Sequence, residues 1–593
     1  MTPLLSIVTG TYNRLPYLKL LVASARVQLP KGIDTEFVII DGGSTDGTIQ
    51  WAKAQPDIRL IEDGELRGAI SAFCRAAHTS QAEYVLLAND DVIFKPHSII
   101  PAIVHLETHP ECAAVAFADN RTSRVTGTGR DFRTEGIGCT LPDDTLSMVT
   151  YAQVGMFRRA LAEQAGWWGY EDPIMRNART YGGDSYLSAR LWEMGYTVDP
   201  VAGCVVEDLI VRDALRDAHA SALNGQDSAL YYQRFPTVHI PAQRRAYPIV
   251  ERLRVLHLPV YEPNYRQAAN KEAAWAEAFW KRGALCLEVD YLNTDTDLQA
   301  LVKAWQPDLI LTQIQGWGEK LTPQILTDMR KAAPAALVVN WCGDAHLSCL
   351  TDPPVLDLLE HVDLQTTVNA AVLPFYERVG IPAAFWQIGF KLPQGKLPDA
   401  PAWDVLFQAN WYDYREPLFN ALHSLPKSIR FANYGNDLRA KGSTHYDFAA
   451  QAALYAAATI TIGDTFPGTK AFVSNRVFQA LSQGAFLMQQ YSEALEEYTG
   501  LQAGVHYVEW RTVDELRDLI IDWLDDERAE ERAAIRAAGQ AFVREHFSFD
   551  AQIDKLLTEL LPNVVTVGRM EHERTAPVGY PAEMEQWADG IMR

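Results

Sequence analysis

Residues 6–14 read SIVTGTYNR, residues 36–48 read EFVIIDGGSTDGT, and residues 84–92 read YVLLANDDV. Each stretch is a β-rich apolar run that ends in Asn, Asp or Gly, so three strands deliver polar groups to one edge of a sheet. In open α/β sheets that carboxyl edge is where ligands bind. The run Asn89-Asp90-Asp91 offers oxygen ligands to a hard cation. Mg²⁺ or Mn²⁺ held by few carboxylates completes its shell with water and a diphosphate. The pattern predicts chemistry on a nucleotide diphosphate.

Working outward, Leu15, Leu18, Leu21, Val22 and Ala25 recur at helical spacing after the first strand. Further apolar runs at residues 58–61, 84–88 and 113–117 keep a strand–helix rhythm, which right-handed crossovers turn into a layered α/β sheet. Residues 118–150 lack periodicity and read as an acceptor-side loop. After Pro241 a fresh set of strands begins at residues 254–260, 308–312 and 336–340, and a third set opens at residues 404–408. The expected fold class is therefore α/β throughout. The expected domains are residues 1–245, then two Rossmann-like units at 246–398 and 399–563, then a tail at 564–593.

The net charge of −22 argues against a broad nucleic-acid face, because such binding rests on basic groups that neutralise phosphates. The seven cysteines, Cys74, Cys112, Cys139, Cys204, Cys286, Cys342 and Cys349, are odd in number and have no Cys-x-x-Cys spacing, which disfavours a disulfide framework or a zinc site. No apolar run approaches the roughly 20 residues that cross a bilayer. The first strand starts without a leader-like segment, so the expectation is a cytoplasmic protein, with room for peripheral contact at the inner membrane face.

The three opening segments, in this order and spacing, resemble the GT-A domain of family-2 glycosyltransferases. The resemblance runs over about residues 3–240 and continues at residues 182–198, GGDSYLSARLWEMGYTV, which is similar to the family's later acidic motif. It implies a nucleotide-diphosphate sugar as donor, with UDP favoured, a glycan or glycoconjugate acceptor, and Mn²⁺ or Mg²⁺ as cofactor. By the same resemblance Asp91 is a metal ligand with Asp90 beside it at the nucleotide sugar, Thr11 and Tyr12 line the nucleobase, Asp41 accepts a hydrogen bond from base or ribose, and Arg67 contacts the nucleotide. Asp184 is the general base of a single displacement with inversion. Where the family often has Glu-Asp, this chain has Gly183-Asp184. The further metal ligand falls in CVVED, residues 204–208, where Asp208 and Glu207 are candidates and His219 is an alternative. Trp167, Trp168 and Tyr170 suit either sugar stacking or core packing. The turn at residues 44–48 suits either ligand contact or plain capping.

Residues 253–561 resemble a different group, the GT-B glycosyltransferases classed with spore-coat protein CgeB. The matching pieces are NWCGD at 340–344, YERVG at 376–380, YDYR at 412–415, NRVFQALSQGAFL at 475–487 and EALEEY at 493–498. This implies a donor whose phosphates meet Arg415, with Arg476 or Lys470 assisting. The glutamate expected to grip the donor ribose is replaced by Gln479, which lacks the charge that strengthens a carboxylate's hydrogen bonds. Asp344 and His346 suit either an acid–base pair or a structural Asp–His contact. The second half is thus a second transferase or, alternatively, a degenerate acceptor-binding or scaffolding module. A nucleic-acid-modifying transferase is disfavoured by the charge. A nucleotidyltransferase is disfavoured because TGTYNR, residues 9–14, lacks a Gly-rich basic loop.

Overall fold

The fold is described from a computed structural model. It describes residues 3–29, 33–119, 139–140, 146–147, 150–209, 211, 213, 225–249, 251–259, 275–289, 291–292, 295–315, 320–343, 353–390, 392–393, 395–435, 440–441, 448–465 and 471–562. His219, Asp344, His346, Lys470, most of the 118–150 loop and the tail lie outside these residues. The chain divides into two compact units, Met1–Arg254 with Gln299–Gln306, and Val255–Leu298 with Pro307–Arg593.

The first unit is built on an eight-stranded sheet. Its strands are β1 (Leu5–Thr11), β2 (Thr35–Asp41), β3 (Ile58–Glu62), β4 (Tyr84–Leu87), β5 (Val92–Phe94), β6 (Cys112–Asp119), β7 (Gly155–Arg158) and β8 (Thr197–Asp208), in the order β3-β2-β1-β4-β7-β6-β8-β5. β1, β2, β3 and β4 pair in parallel. β7 is antiparallel to both β4 and β6, so β6 and β8 run with β4. The register sets Thr11 opposite Asp41 at one carboxyl edge. Strand centres read as continuous apolar runs because helices cover both faces: Val8, Val38, Ile40, Val85 and Leu87 are all buried. The helix Ala69–Thr79 shows how one face is covered, since Ile70, Phe73, Cys74 and Ala77 recur at helical spacing and are buried against the sheet. Burying Phe73 alone contributes about 1.5–3 kcal/mol.

The second unit holds two parallel sheets. The first has β9 (Arg254–Leu258), β10 (Leu285–Glu288), β11 (Leu309–Thr312), β12 (Leu337–Cys342), β13 (Leu364–Thr367) and β14 (Ala383–Phe385), ordered β10-β9-β11-β12-β13-β14. The second has β15 (Val405–Gln408), β16 (Phe431–Tyr434), β17 (Ile460–Gly463), β18 (Leu487–Gln490) and β19 (Val508–Trp510), ordered β16-β15-β17-β18-β19. The two are joined by bridges Asn369 to Phe472 and Phe390 to Ser548, and by the Trp386 indole donating to the Gln552 carbonyl at 3.0 Å.

Asn340, the first residue of NWCGD, has a packing role. Its fully buried amide ties the ends of three strands: Oδ1 accepts from Thr312 Oγ1 at 2.9 Å and Ile314 N at 2.6 Å, while Nδ2 donates to Ile314 O at 3.1 Å and Gln365 Oε1 at 2.7 Å. Replacing it with Ala leaves buried groups unpaired at about 1–3 kcal/mol each. Asn340→Ala is therefore expected to lower the unfolding free energy of the second unit by that order, seen as a lower urea midpoint in the fluorescence of its tryptophans.

Candidate active site

Asp90 and Asp91 follow β4 and are 4% and 1% exposed. A buried carboxylate needs compensation, and Asp90 receives it from Thr11 Oγ1 at 2.9 Å and Arg14 Nη1 at 3.0 Å. Burial still pushes Asp90 up to about 6, with Arg14 working against that and the neighbouring Asp91 charge adding to it. Arg14 in turn is held by Asp213 at 2.7 Å. The two carboxylates keep its pKa high although burial works the other way. Sequence reasoning passed over Arg14; its signal was the basic residue that closes SIVTGTYNR.

These residues open onto a cavity of about 330 Å³. Thr11, Tyr12, Arg67, Asp90, Asp91 and Asp184, six of the expected site residues, line it together. Asp41 does not. It is 0% exposed, and its carboxylate accepts from Ser44 N at 2.8 and 3.1 Å and Gly43 N at 3.3 Å. These bonds hold the turn after β2. Gly43 has φ +94°, and a Cβ there would sit 2.9 Å from the Gly64 carbonyl, so this glycine answers to its own backbone. The neighbouring residues are also committed to the turn: Asp46 accepts from Leu15 N at 2.9 Å and Thr48 Oγ1 at 2.6 Å, and Asn13 Oδ1 accepts from Thr45 N at 2.7 Å. The acidic groups that line this end of the cavity are Glu65 and Asp63; Asp63, missed from sequence, is ion-paired with Arg75 and lies 3.9 Å from Arg67. Arg67 is exposed and pairs with Glu65 at 2.7 Å.

Asp184 lies in the first turn of the helix Gly183–Glu193 and is half-buried. The double glycine before it has separate reasons: Gly182 is left-handed, at φ +86°, and a Cβ on Gly183 would lie 2.7 Å from the Trp168 ring. The aromatic cluster divides. Trp167 is core, Trp168 lines the cavity with its ring 4.2 Å from that of Phe73, and Tyr170 is 48% exposed.

Glu207 and Asp208, the two candidates for a further metal ligand among the described residues, also separate. β8 pairs antiparallel with β5 so that Asp208 is opposite Val92, the residue after Asp91, and Leu209 N donates to Asp91 O at 2.9 Å. Glu207 alternates to the other face and pairs with Lys95. Asp208 is 6% exposed and brings a second carboxylate to Asp91's end of the sheet. This all-oxygen pair suits Mg²⁺ or Mn²⁺. Among the described residues the one group of three clustered ligand types is His105, Cys112 and Asp199. It begins at the amino end of β6, across the sheet from Asp91, and already satisfies itself through His105 Nε2 and Asp199 Oδ2 at 2.8 Å and Cys112 Sγ donating to Ala114 O at 3.1 Å.

In the second unit Arg415 is buried, and each of its three guanidinium nitrogens donates a hydrogen bond. Its Nε and Nη2 meet Asp464 Oδ2 and Oδ1 at 2.5 and 3.1 Å, and Nη1 donates to Asn410 O at 2.7 Å. Arg476 Nη2 joins the same carboxylate at 2.7 Å. Burial alone would raise the Asp464 pKa, but Arg476 and Arg415 hold it below the usual carboxylate range. The pairing draws on the same guanidinium that the resemblance assigns to a donor phosphate. Gln479 is half-buried on the helix Asn475–Ser482, one turn on from Arg476. Asp464 was missed from sequence, although it directly follows the strand ITIG, residues 460–463.

An acidic pair at the carboxyl edge of an open α/β sheet thus lines one cavity with a second acid, Asp184, and two Rossmann-like sheets follow in the chain. Residues 6–165 match the family described as Glycosyl transferase family 2, and residues 415–558 the one described as Glycosyl transferase-like. The chain is a glycosyltransferase with a family-2 GT-A domain followed by a GT-B-like module. No curated protein matches it. Among solved structures it is similar to the mannosyltransferase PcManGT from Pyrobaculum calidifontis in complex with GDP-Man and Mn²⁺, at 19% identity over 42% of this chain and 67% of that one, with TM-score 0.30. It is similar to S. aureus TarS at 13% identity over 40% and 44% of the two chains and TM-score 0.28, so less than half of that protein is spanned. For S. aureus TarS 1–349 the values are 14%, 56% and 81%, with TM-score 0.28. Likenesses this remote carry no argument about substrate. Among the described residues no helix is long and apolar enough to cross a membrane.

Removing Asp464 would leave two arginines without their shared counter-charge, and breaking a buried pair from one side costs about 3–5 kcal/mol. Asp464→Ala is expected to destabilise the second unit by that order in chemical denaturation. Because the native pKa of Asp464 is depressed, its contribution is present above the unfolded carboxylate pKa and is lost as pH falls through the native one. The gap between wild type and variant should therefore close in acid.

Proposed function

We propose that the first unit transfers a sugar from a nucleotide-diphosphate donor, a UDP-sugar by preference, to a hydroxyl of a glycan or glycoconjugate, with inversion. The observation that carries this is the single cavity lined by Thr11, Tyr12, Arg67, Asp90, Asp91 and Asp184. Tyr12 and Thr11 flank the nucleotide, and the Arg67 guanidinium faces its anionic portion. Asp184 takes the proton of the acceptor hydroxyl as that oxygen attacks the anomeric carbon, and the bond from that carbon to the diphosphate oxygen breaks on the opposite side. Asp91 and Asp208 would hold Mg²⁺ or Mn²⁺, and the chemistry such an ion supplies is neutralisation of the departing diphosphate. Asp90, anchored by Arg14 and Thr11, keeps that edge rigid. The work divides among residues 1–245, 246–398 and 399–563, at the cytoplasmic face of the membrane or in the cytoplasm, on a substrate other than nucleic acid.

For the second half, a second transfer site is one reading. The engagement of Arg415 by Asp464, together with Gln479 in place of a glutamate, favours the other, in which catalysis is confined to the first half and the second binds acceptor or partner.

The test is turnover of UDP-, GDP- and dTDP-sugars with Mn²⁺ or EDTA. Wild type should release nucleotide with metal only, Asp91→Ala and Asp184→Asn should fall at least about 100-fold, and Arg415→Ala should leave that activity intact. Metal-independent turnover that survives in Asp91→Ala would refute the assignment to the first half.

A further inference from the structure

Beyond the cavity lining, a helix over residues 225–234 grips the segment that carries Asp184 at two points. At the first, Asp227, 2% exposed, gathers three successive backbone amides. Its carboxylate accepts from Arg179 N at 3.2 Å to each oxygen, from Thr180 N at 2.8 Å and from Tyr181 N at 3.0 Å. At the second, Arg234 Nε donates to Asp172 Oδ2 at 2.8 Å, and Asp172 accepts from Ile174 N, Met175 N and the Tyr186 hydroxyl. Tyr186 lies on the same helix as Asp184, two residues on.

Arg179, Thr180 and Tyr181 line the cavity, and the left-handed Gly182 and then Gly183 lead from them straight into Asp184. On the far side, Ile70 N donates to Arg179 O at 3.2 Å, and a Cβ on Gly68 would lie 2.3 Å from that carbonyl. The wall is thus clamped between the helix after Arg67 and Asp227. A segment of three residues with no regular hydrogen-bond ladder has no other means of keeping three adjacent N–H groups on one side. A charged acceptor can do so, with Oδ2 taking a bond from all three amides and Oδ1 a second from Arg179 N, whereas an amide lacks the charge that strengthens these bonds and turns an NH₂ toward Arg179 N when its oxygen stands at Oδ2.

We infer that Asp227 is a positioning residue: it acts through the 179–181 backbone to hold Asp184 and the acceptor-side wall in place. The inference rests on the role of Asp184 proposed above. Its test is Asp227→Asn, assayed by donor turnover with water as acceptor, using whichever sugar of the UDP, GDP and dTDP panel the wild type uses fastest, alongside amide hydrogen exchange. Misplacing a reacting group by about 1 Å costs on the order of 100-fold. The expected result is a kcat lower by about 10–100-fold, a donor KM within about twofold, and exchange at Thr180 and Tyr181 at least about tenfold faster with residues 73–79 unchanged. Asp227→Glu, which keeps the charge, should recover part of the kcat and serves as the test if Asp227→Asn fails to fold. Unchanged kcat, unchanged exchange at 179–181, or a loss confined to donor KM would each overturn the inference while leaving the donor reading intact. Absence of turnover in the wild type would overturn the donor reading and the role of Asp227 with it.

Discussion

Burial of negative charge at the end of β4 is the constraint on which the first unit's site depends. Two adjacent carboxylates, withdrawn from water, repel each other and are costly unless cations or donors face them. Asp90 is answered by Arg14 and Thr11, and Arg14 by Asp213, so one end of β1, the turn after β4 and the segment after β8 are tied by a single charge network. Asp91 shares its edge with Asp208, a pairing of like charge that suits a divalent cation. That edge also places the site, because the parallel order of β1, β2 and β4 brings all their carboxyl ends to one side.

A second theme is how many polar side chains are consumed by backbone. Asp41 and Asp46 hold turns, and Asp172 and Asp227 hold the approach to Asp184. In each case an aspartate close to the cavity satisfies amides that irregular segments cannot pair among themselves. The cavity is precise because its walls are loops pinned by buried carboxylates, leaving a smaller set of polar groups, Asp91, Asp184 and Arg67 among them, on its lining.

The second unit uses the same device with the charges reversed. There Arg415 and Arg476 converge on Asp464, and Tyr412 and Tyr414 lie over the Arg415 guanidinium, each 5.1 Å from it. An arginine held in this way gives up hydrogen-bonding capacity to the fold, which changes the role open to a residue whose position in the family pattern points to phosphate.

The sequence by itself determined the α/β class, the three successive sheets and the acidic ends of the first strands, since apolar periodicity and chain order are local properties that survive without coordinates. It also brought Asp90 and Asp91 forward as candidates, because acidic endings on apolar runs stand out in one dimension, and Asp184 through the resemblance of the motif that carries it. The tertiary structure decided which of the eligible side chains line the cavity. Asp41 and Asp91 both end apolar stretches, yet only Asp91 lines the cavity, because a turn folds back on Asp41. Glu207 and Asp208 are adjacent, yet strand alternation sends one to Lys95 and leaves the other at Asp91's edge. Asp63, Asp227 and Asp464 acquire their meaning from partners up to 49 residues away in the chain. Hydrogen-bond capacity is a finite, three-dimensional quantity, and how it is divided becomes visible only once the partners are in place.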